Sequence, residues 1–360
     1  DSTWLHGRRA RYDRSAGEMI LTGDPWLFTP GPTVEDDLTV DADTLRMNEI
    51  DRKGQALGNV EITRGQVRAT GENAIFELAR NRTLLYGDPV AIDPDGEIHV
   101  VPGTGSITYN FRSGDNAVNL AGDHVEPAVS LYNPGSTGDR SSRESAGLNT
   151  LACVGNRVRV LTGDGKGAIG YVIGKHGGAE HVMVDFPDST VFDKLTVDDK
   201  MHVYVHGLGM ELTNFEGVNL FSMSPTLMEA LTEAGMGITG DGMLRVPVAK
   251  IVPARVMGSG LGSSQVYRGD YDIQMFDEAV VEEYGLDELR FGDIVAIVNA
   301  HHDYGRIYKE GSVAIGVIAH SNSFIAGHGP GVTSLMSSKD GKIEPMVTED
   351  ANLAHLLGIR

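Results

Sequence analysis

Cysteine is almost absent from this chain, with one residue, Cys153, among 360. A single thiol excludes an internal disulfide framework and any cysteine-rich zinc site. Beside core-type Leu and Val it reads as a packed residue rather than a nucleophile. Aromatic residues make up only 6%, and the two tryptophans, Trp4 and Trp26, both fall near the start. Positive charge is scarce too: Lys and Arg number 30 against 50 Asp and Glu, a formal net charge of −20. That balance leaves no basic patch for a phosphate backbone, so nucleic acid is not an expected partner. No apolar run approaches the roughly 20 residues that a membrane-spanning helix needs, so no transmembrane segment is expected. The G-x-S-x-G elbow, the H-E-x-x-H zinc helix and the Walker loop are missing, and no G-x-G-x-x-G joins a strand to a helix. The sequence opens on Asp1 without a signal-peptide pattern, as expected of a chain whose leader has been removed or of an excised piece.

What is present points to β structure. Hydrophobic content of 41% and mean hydropathy of −0.15 are those of a soluble globular protein long enough for two or three domains. Glycine numbers 46, about 13% and near twice the usual share of about 7%. With few helical stretches in view, that glycine marks many tight turns between short strands.

Residues 1–96 carry an internal repeat. Ala10-Arg-Tyr12-Asp13 and Leu21-Thr-Gly23-Asp24-Pro25 return as Ala74-Ile-Phe76-Glu77 and Leu85-Tyr-Gly87-Asp88-Pro89, each 64 positions on. Between the copies lie alternating runs such as Leu38-Thr-Val40-Asp-Ala42-Asp and Gly58-Asn-Val60-Glu-Ile62-Thr, read as stacked short strands. These stretches, with GQALGNVEITRGQVRATGENAIFELARNRTLLYGDPVAI, resemble the OstA-like lipopolysaccharide-transport proteins. The resemblance implies an open β-jellyroll with a lipid-carrying apolar groove, and a periplasmic setting.

From about residue 97 the register changes. Ser106–Phe111 is strand-like, Pro134–Arg143 is a polar loop, and Glu144–Val154 reads as a helix stopped by Gly155. Arg157–Leu161, Ala168–Ile173, His181–Phe186 and Met201–His206 then follow as a β-meander or barrel pattern. Ser224 caps a helix over Pro225–Ala234. Met243–Met257 forms strands that Pro247 and Pro253 confine to an edge or bend. Glu278–Tyr284 and Asn352–Leu357 are short helices, and Asp293–Asn299 is an apolar strand. Domains are expected at 1–96 and 97–360, with a possible sub-boundary near 225–245. The whole stretch from about Asp95, through VPGTGSITYNFRSGD, AGDHVEP, GDGKGAIGYVIGKHGGAEHVMVDF, GDYDIQ and GHGPGVTSL, resembles a bacterial and archaeal family described as a domain of unknown function. That resemblance implies an α+β, mainly β fold in a cytoplasmic protein and carries no catalytic residues with it. The expected fold is therefore a β-jellyroll-like repeat segment followed by a larger β-barrel or sandwich with a few short helices.

Eleven of the twelve histidines lie from His99 onward, which places imidazole chemistry in the second segment. Five constellations stand out, each with a competing structural explanation. His124 and Glu126, beside Asp123, would share one face of a strand and one metal or proton, or else form a strand-end turn. His176 and His181 flank Gly177-Gly178 as the arms of a hairpin, or else the stretch is a plain turn with Gly at positive φ. Asp270, Asp272 and Gln274 alternate onto one face, as oxygen ligands or as the wet side of an edge strand. In the same constellation, the preceding glycines of Gly258–Ser264 could cradle an anion. His301-His302-Asp303, with Arg306 and Lys309, reads as a solvated loop. His320 and His328 close a pair of strands, Val313–Ala319 and Phe324–Ala326, around Gly327-His328-Gly329-Pro330-Gly331, where backbone can approach a ligand.

The function expected from these residues is metal-assisted hydrolysis or lyase chemistry on a small polar molecule. Asp123, His124, His176, Asp272 and His328 are the catalytic candidates, and His124, Glu126, His176, His181, Asp270 and His320 the candidate ligands of a divalent metal. A lipid-binding module built on the first segment, and a structural assembly protein whose β edges pair between copies, are the alternatives. A homo-oligomer is expected; the compartment is cytoplasmic, or periplasmic if the first segment governs.

Overall fold

A computed structural model of the chain describes residues 4–13, 18–30, 38–48, 53–64, 67–77, 82–86, 90–92, 94–95, 98–100, 103–133, 135, 142–197, 199–258 and 265–360. It divides into two compact units, Asp1–Val90 with Ile98–Val101, and Ala91–Glu97 with Pro102–Arg360. Both are built mainly of strands, as the glycine-punctuated alternation implies.

The first unit is one antiparallel sheet of nine strands. Its spine is the strand Lys53–Arg64, which pairs along one edge with Val67–Glu77. On its other edge the first half pairs with Thr44–Asn48 and the second half with Leu38–Asp41. The spine can serve two partners because Gly58 and Asn59 adopt φ +70° and +45° and break the register. Inward residues of both arms, among them Leu27, Val40, Leu45 and Ala56, are fully buried together. The internal repeat is visible as hairpin register: Ala10 faces Leu21, and 64 residues on Ala74 faces Leu85. The second Gly-Asp-Pro, 87–89, lies outside the described residues.

The second unit holds a five-stranded antiparallel sheet in the order Val129–Leu131, His181–Asp185, Ile169–His176, Arg157–Val160, Met201–Val203. A six-stranded sheet runs Asn219–Leu220, Gly331–Ser338, Ile307–His320, Ile294–His301, Lys250–Pro253, with Tyr271–Asp272 also against Gly331–Ser338. A three-stranded sheet of Gly237–Ile238, Leu244–Val248 and Ile343–Val347 completes it. The helices are short: Arg143–Leu151, Pro225–Glu233, Glu278–Tyr284 and Leu353–Leu356. Ser224 caps the second by accepting from the Leu227 N–H at 3.2 Å, and Gly285 ends the third in the left-handed region at φ +58°.

The strand Ile307–His320 shows why its sequence does not alternate. Its last nine residues are buried on both faces between other strands. Gly316 sits at a register break, where a Cβ would come within 2.3 Å of Val332. The two larger sheets touch here through inner strands. Lys175 N–H donates to Thr333 Oγ1 at 2.9 Å, that hydroxyl donates back to the Lys175 carbonyl at 3.1 Å, and a Cβ on Gly174 would meet Ala319 at 2.7 Å. Strand ends of both sheets therefore converge: His176 and His181 from one, His320, Gly331 and Asp272 from the other.

Several expectations are corrected. Phe324–Ala326 is turn rather than strand, and the partner of Ile307–His320 begins at Gly331, after the glycine loop. Ser106–Phe111 contributes one isolated bridge, Ile107 to Val129. Leu244–Val248 has strands on both sides only at Leu244 and Arg245, so Pro247 keeps an open side, and Lys250–Pro253 is an edge strand as expected. The expected solvated loop at His301-His302-Asp303 is buried at both histidines, because the strand Ile294–His301 carries them under the sheet. Cys153 is packed in the interior, as expected. The glycine loop after Gly258 lies outside the described residues.

Candidate metal centre

Three histidines at the junction are each held by one ring nitrogen. Asp123 accepts from His124 Nδ1 at 2.8 Å, and its other oxygen takes Ser323 Oγ–H at 2.9 Å and the Phe324 N–H at 2.8 Å. Glu126 accepts from His176 Nδ1 at 2.7 Å. The Ser321 carbonyl accepts from His320 Nδ1 at 2.9 Å. A neutral ring that donates through Nδ1 carries its lone pair on Nε2, so in their neutral forms all three imidazoles are set as acceptors on the opposite side. Carboxylate or carbonyl support behind an imidazole is the arrangement that orients metal-binding histidines.

Those opposite sides share one space. The rings of His176 and His320 stack at 4.2 Å between centroids, and His124 lies 5.0 Å from His320 and 5.6 Å from His176. His124 Nε2 is 3.1 Å from His328 Nδ1 and 3.6 Å from Asp272 Oδ2, and His328 Nδ1 is 2.9 Å from the same oxygen. His320 Nε2 is 2.6 Å from Asp270 Oδ2 and 3.8 Å from Asp272 Oδ1. The close approach of Asp270 to His320 is not aligned as a hydrogen bond. Both atoms are buried without a hydrogen-bond partner, which two side chains aimed at a common third centre would produce. Asp270 is fixed through its other oxygen, which accepts the Gly177 N–H at 2.7 Å.

Three overlapping groups of side chains bring their ligand atoms within 4.8 Å of one another: His124–His176–His320, His124–Asp272–His328 and Asp270–Asp272–His320. Imidazole nitrogen mixed with carboxylate oxygen suits zinc, manganese or iron rather than calcium. Gly331 makes the approach possible, since a Cβ there would lie 2.2 Å from both Asp270 Oδ2 and His320 Nε2.

The electrostatics follow from burial set against partners. Burial disfavours the charged ring of His124, but Asp123 and Asp272 outweigh it and push its pKa up to about 9. His320 is likewise raised, by Asp270 against burial. His176 is lowered by burial and by the nearby His320. Burial would raise Asp272, Glu126 and Asp123, yet their imidazole neighbours hold all three below the ordinary carboxylate range.

Of the residues singled out in the sequence, His124, His176, Asp270, Asp272, His320 and His328 meet at this junction. Asp123 stands behind His124. Glu126 stands behind His176, with its oxygens taken by His176, His181, the Gly105 N–H and Ser130. Neither Glu126 nor His181 belongs to any of the three groups. His124 reaches Glu126's neighbour rather than sharing a strand face with it, because its backbone is a bend at φ +51°. His176 does face His181 across the hairpin. Sequence reasoning missed Gly331 as a contact residue and Ser321 and Ser323 as supports. Gly331 was visible only as part of a Gly-Pro-Gly turn, and the serines carry no motif. It also missed Lys175, fully buried with its ammonium bonded to Ser222 Oγ at 2.9 Å and the Tyr267 carbonyl at 2.7 Å, and lowered by burial to about 7.

Access lies on the His328 side, whose side chain is 35% exposed while the other members are buried. A recess of about 280 Å³ is lined by Val118, Asn119, Leu120, Gly122, Asn322, Ser323 and Phe324, the last two being the residues that anchor Asp123. Neither it nor a recess of about 320 Å³ beside the helix Glu278–Tyr284 is lined by a member of the cluster.

A mainly β unit with a buried imidazole–carboxylate cluster is thus the class that fold and site define. Two family models match it: Domain of unknown function (DUF4438), N-terminal, over residues 90–229, and Domain of unknown function (DUF4438), C-terminal, over 234–357. The chain belongs to the DUF4438 family. A solved structure, "Crystal structure of TM1086", is 41% identical, covering 74% of this chain and 90% of that one, with a TM-score of 0.67. LptH from Pseudomonas aeruginosa, the LptA homologous periplasmic component of a lipopolysaccharide transport device, is 11% identical over 29% of this chain and 96% of its own, with a TM-score of 0.19. That likeness is too slight to define a fold or a ligand. No curated protein matches the chain. Among the described residues, no helix is long and apolar enough to cross a membrane.

Proposed function

We propose that this protein is a metal-dependent hydrolase of a small polar molecule, with a first-row divalent cation held among His124, His176, Asp270, Asp272, His320 and His328. The observation that carries the reading is the shared orientation of three imidazoles. Each is tied through Nδ1 and turns its other nitrogen to the same interior, beside two buried carboxylates. A cation bound there lowers the pKa of a coordinated water toward 7 and supplies hydroxide at neutral pH.

The side chains divide the remaining work. Asp272 is held far into its charged form by His124, His328 and His320, which makes it a strong ligand and a poor proton acceptor. Asp123 and Glu126 are positioning residues that fix the tautomers of His124 and His176. His328, half-exposed at the mouth, is where a substrate meets the centre. The recess behind Asp123, lined by Ser323 and Phe324, has room for a small polar molecule.

The test is thermal melting of chelator-treated full chain with and without Zn²⁺ or Mn²⁺. A site assembled only in the folded chain raises the melting temperature with saturable dependence on metal. Loss of that rise in His124→Ala and His320→Ala is expected. A wild-type protein that retains no ion after desalting and gains no stability overturns the reading.

A further inference from the structure

We infer that the cluster holds two cations bridged by the carboxylate of Asp272. This rests on the metal-binding reading above and adds the number of ions, their ligand division and the identity of the bridge.

The first argument is geometric. Bonds of 2.0–2.2 Å place any two ligands of one zinc-sized ion at most about 4.4 Å apart. Among the described residues, His328 shares a group of ligand atoms within 4.8 Å of one another only with His124 and Asp272, and Asp270 only with Asp272 and His320. No such group contains His328 and Asp270 together. Asp272 belongs to both groups and divides its oxygens between them. Oδ2 faces His328 Nδ1 at 2.9 Å and His124 Nε2 at 3.6 Å, while Oδ1 faces His320 Nε2 at 3.8 Å. The outer ion then takes His124, His328 and Asp272 Oδ2. The inner takes His320, Asp270 and Asp272 Oδ1, while His176, grouped with His124 and His320 but with neither aspartate, stays outside that set. Ions bridged in this way lie roughly 3.5–4 Å apart, the spacing of two-metal hydrolytic centres.

The second argument is charge. Asp123, Glu126, Asp270 and Asp272 are all buried, with at most 4% of their surface exposed. Four carboxylates in low dielectric need four positive charges close by. Two divalent cations supply that number, and one supplies half of it. The third argument is a pair of buried atoms. Asp270 Oδ2 and His320 Nε2 lie deep, away from the open His328 side, and face each other at 2.6 Å without hydrogen-bond alignment. An ion in the outer group alone would leave them so.

The inner and outer ions should be separable. Chelator-treated full chain is reloaded with Mn²⁺, desalted, and analysed for metal per chain and by electron paramagnetic resonance. Two ions per chain with an exchange-coupled spectrum are expected. His328→Ala, at the exposed edge, and Asp270→Asn, nearly isosteric, are each expected to retain one ion with an isolated six-line spectrum, with far-ultraviolet circular dichroism unchanged. One ion per wild-type chain with an isolated spectrum overturns the two-ion assignment and leaves the single-metal reading standing. Two ions that persist in both variants overturn the ligand division. No retained ion removes both proposals.

Discussion

His124 and His302 are buried alike, at 7% and 0% exposure, yet their surroundings drive them in opposite directions. His124 leans on Asp123 and faces Asp272, and its pKa rises to about 9. His302 gives Nδ1 to the neutral Ser334 hydroxyl at 2.9 Å, its Nε2 has no hydrogen-bond partner, and burial reinforced by Arg306 and His301 lowers it to about 3. Burial by itself makes an imidazole a neutral core group. Carboxylates on both sides turn it into a cation holder, where a metal ion can replace the proton.

Removing one ring from each place breaks the comparison most strongly. His320→Ala is expected to weaken Zn²⁺ affinity by more than ~100-fold, since it deletes a ligand rather than a support. His302→Ala is expected to leave that affinity unchanged while lowering stability, so isothermal titration and denaturant unfolding should separate the two variants. Next in size is Asp123→Asn. It keeps shape but loses the charge behind His124, and a loss of roughly ten- to a hundredfold in metal affinity is expected by the same titration.

Acid sharpens the contrast further. His302 is neutral when folded and takes up a proton near 6.5 when unfolded, so its share of stability is complete above pH 6.5 and falls as pH drops toward 3. Between pH 6.5 and 5 that amounts to about 2 kcal/mol. Urea midpoints should show this acid slope in the wild type and a flatter one in His302→Gln. In the metal-free chain His124 works the other way. Its raised pKa stabilises fully below 6.5 and less as pH climbs toward 9, so His124→Gln should flatten the alkaline side of the same profile.

Much of the second unit's chemistry was legible as local pattern. The Gly177-Gly178 hairpin, the alternation of Asp270 and Asp272, and the Ser224-Pro225 helix start are short-range signals, and each appears in the structure. The hairpin repeat of the first unit was legible for the same reason. Convergence was not legible, because His124 and His328 meet across 204 positions and no local rule fixes that distance. Strands buried on both faces, such as His181–Asp185, lose their alternation and hide their register. His302 looked solvated because a charged, glycine-containing neighbourhood resembles a loop, and only the sheet that covers it decides otherwise. Glu126 carried a metal ligand's chemistry in sequence, but four donors already occupy it in the fold.

The central claim is that imidazoles backed by carboxylates at this junction bind metal while the equally buried pair at His301 and His302 does not. Anomalous diffraction at the zinc edge, from crystals of the full chain grown with Zn²⁺, tests it directly. The account requires peaks about 2.0–2.2 Å from His320 Nε2 and from His124 Nε2. An empty junction, or zinc bound instead at His301 and His302, would contradict it.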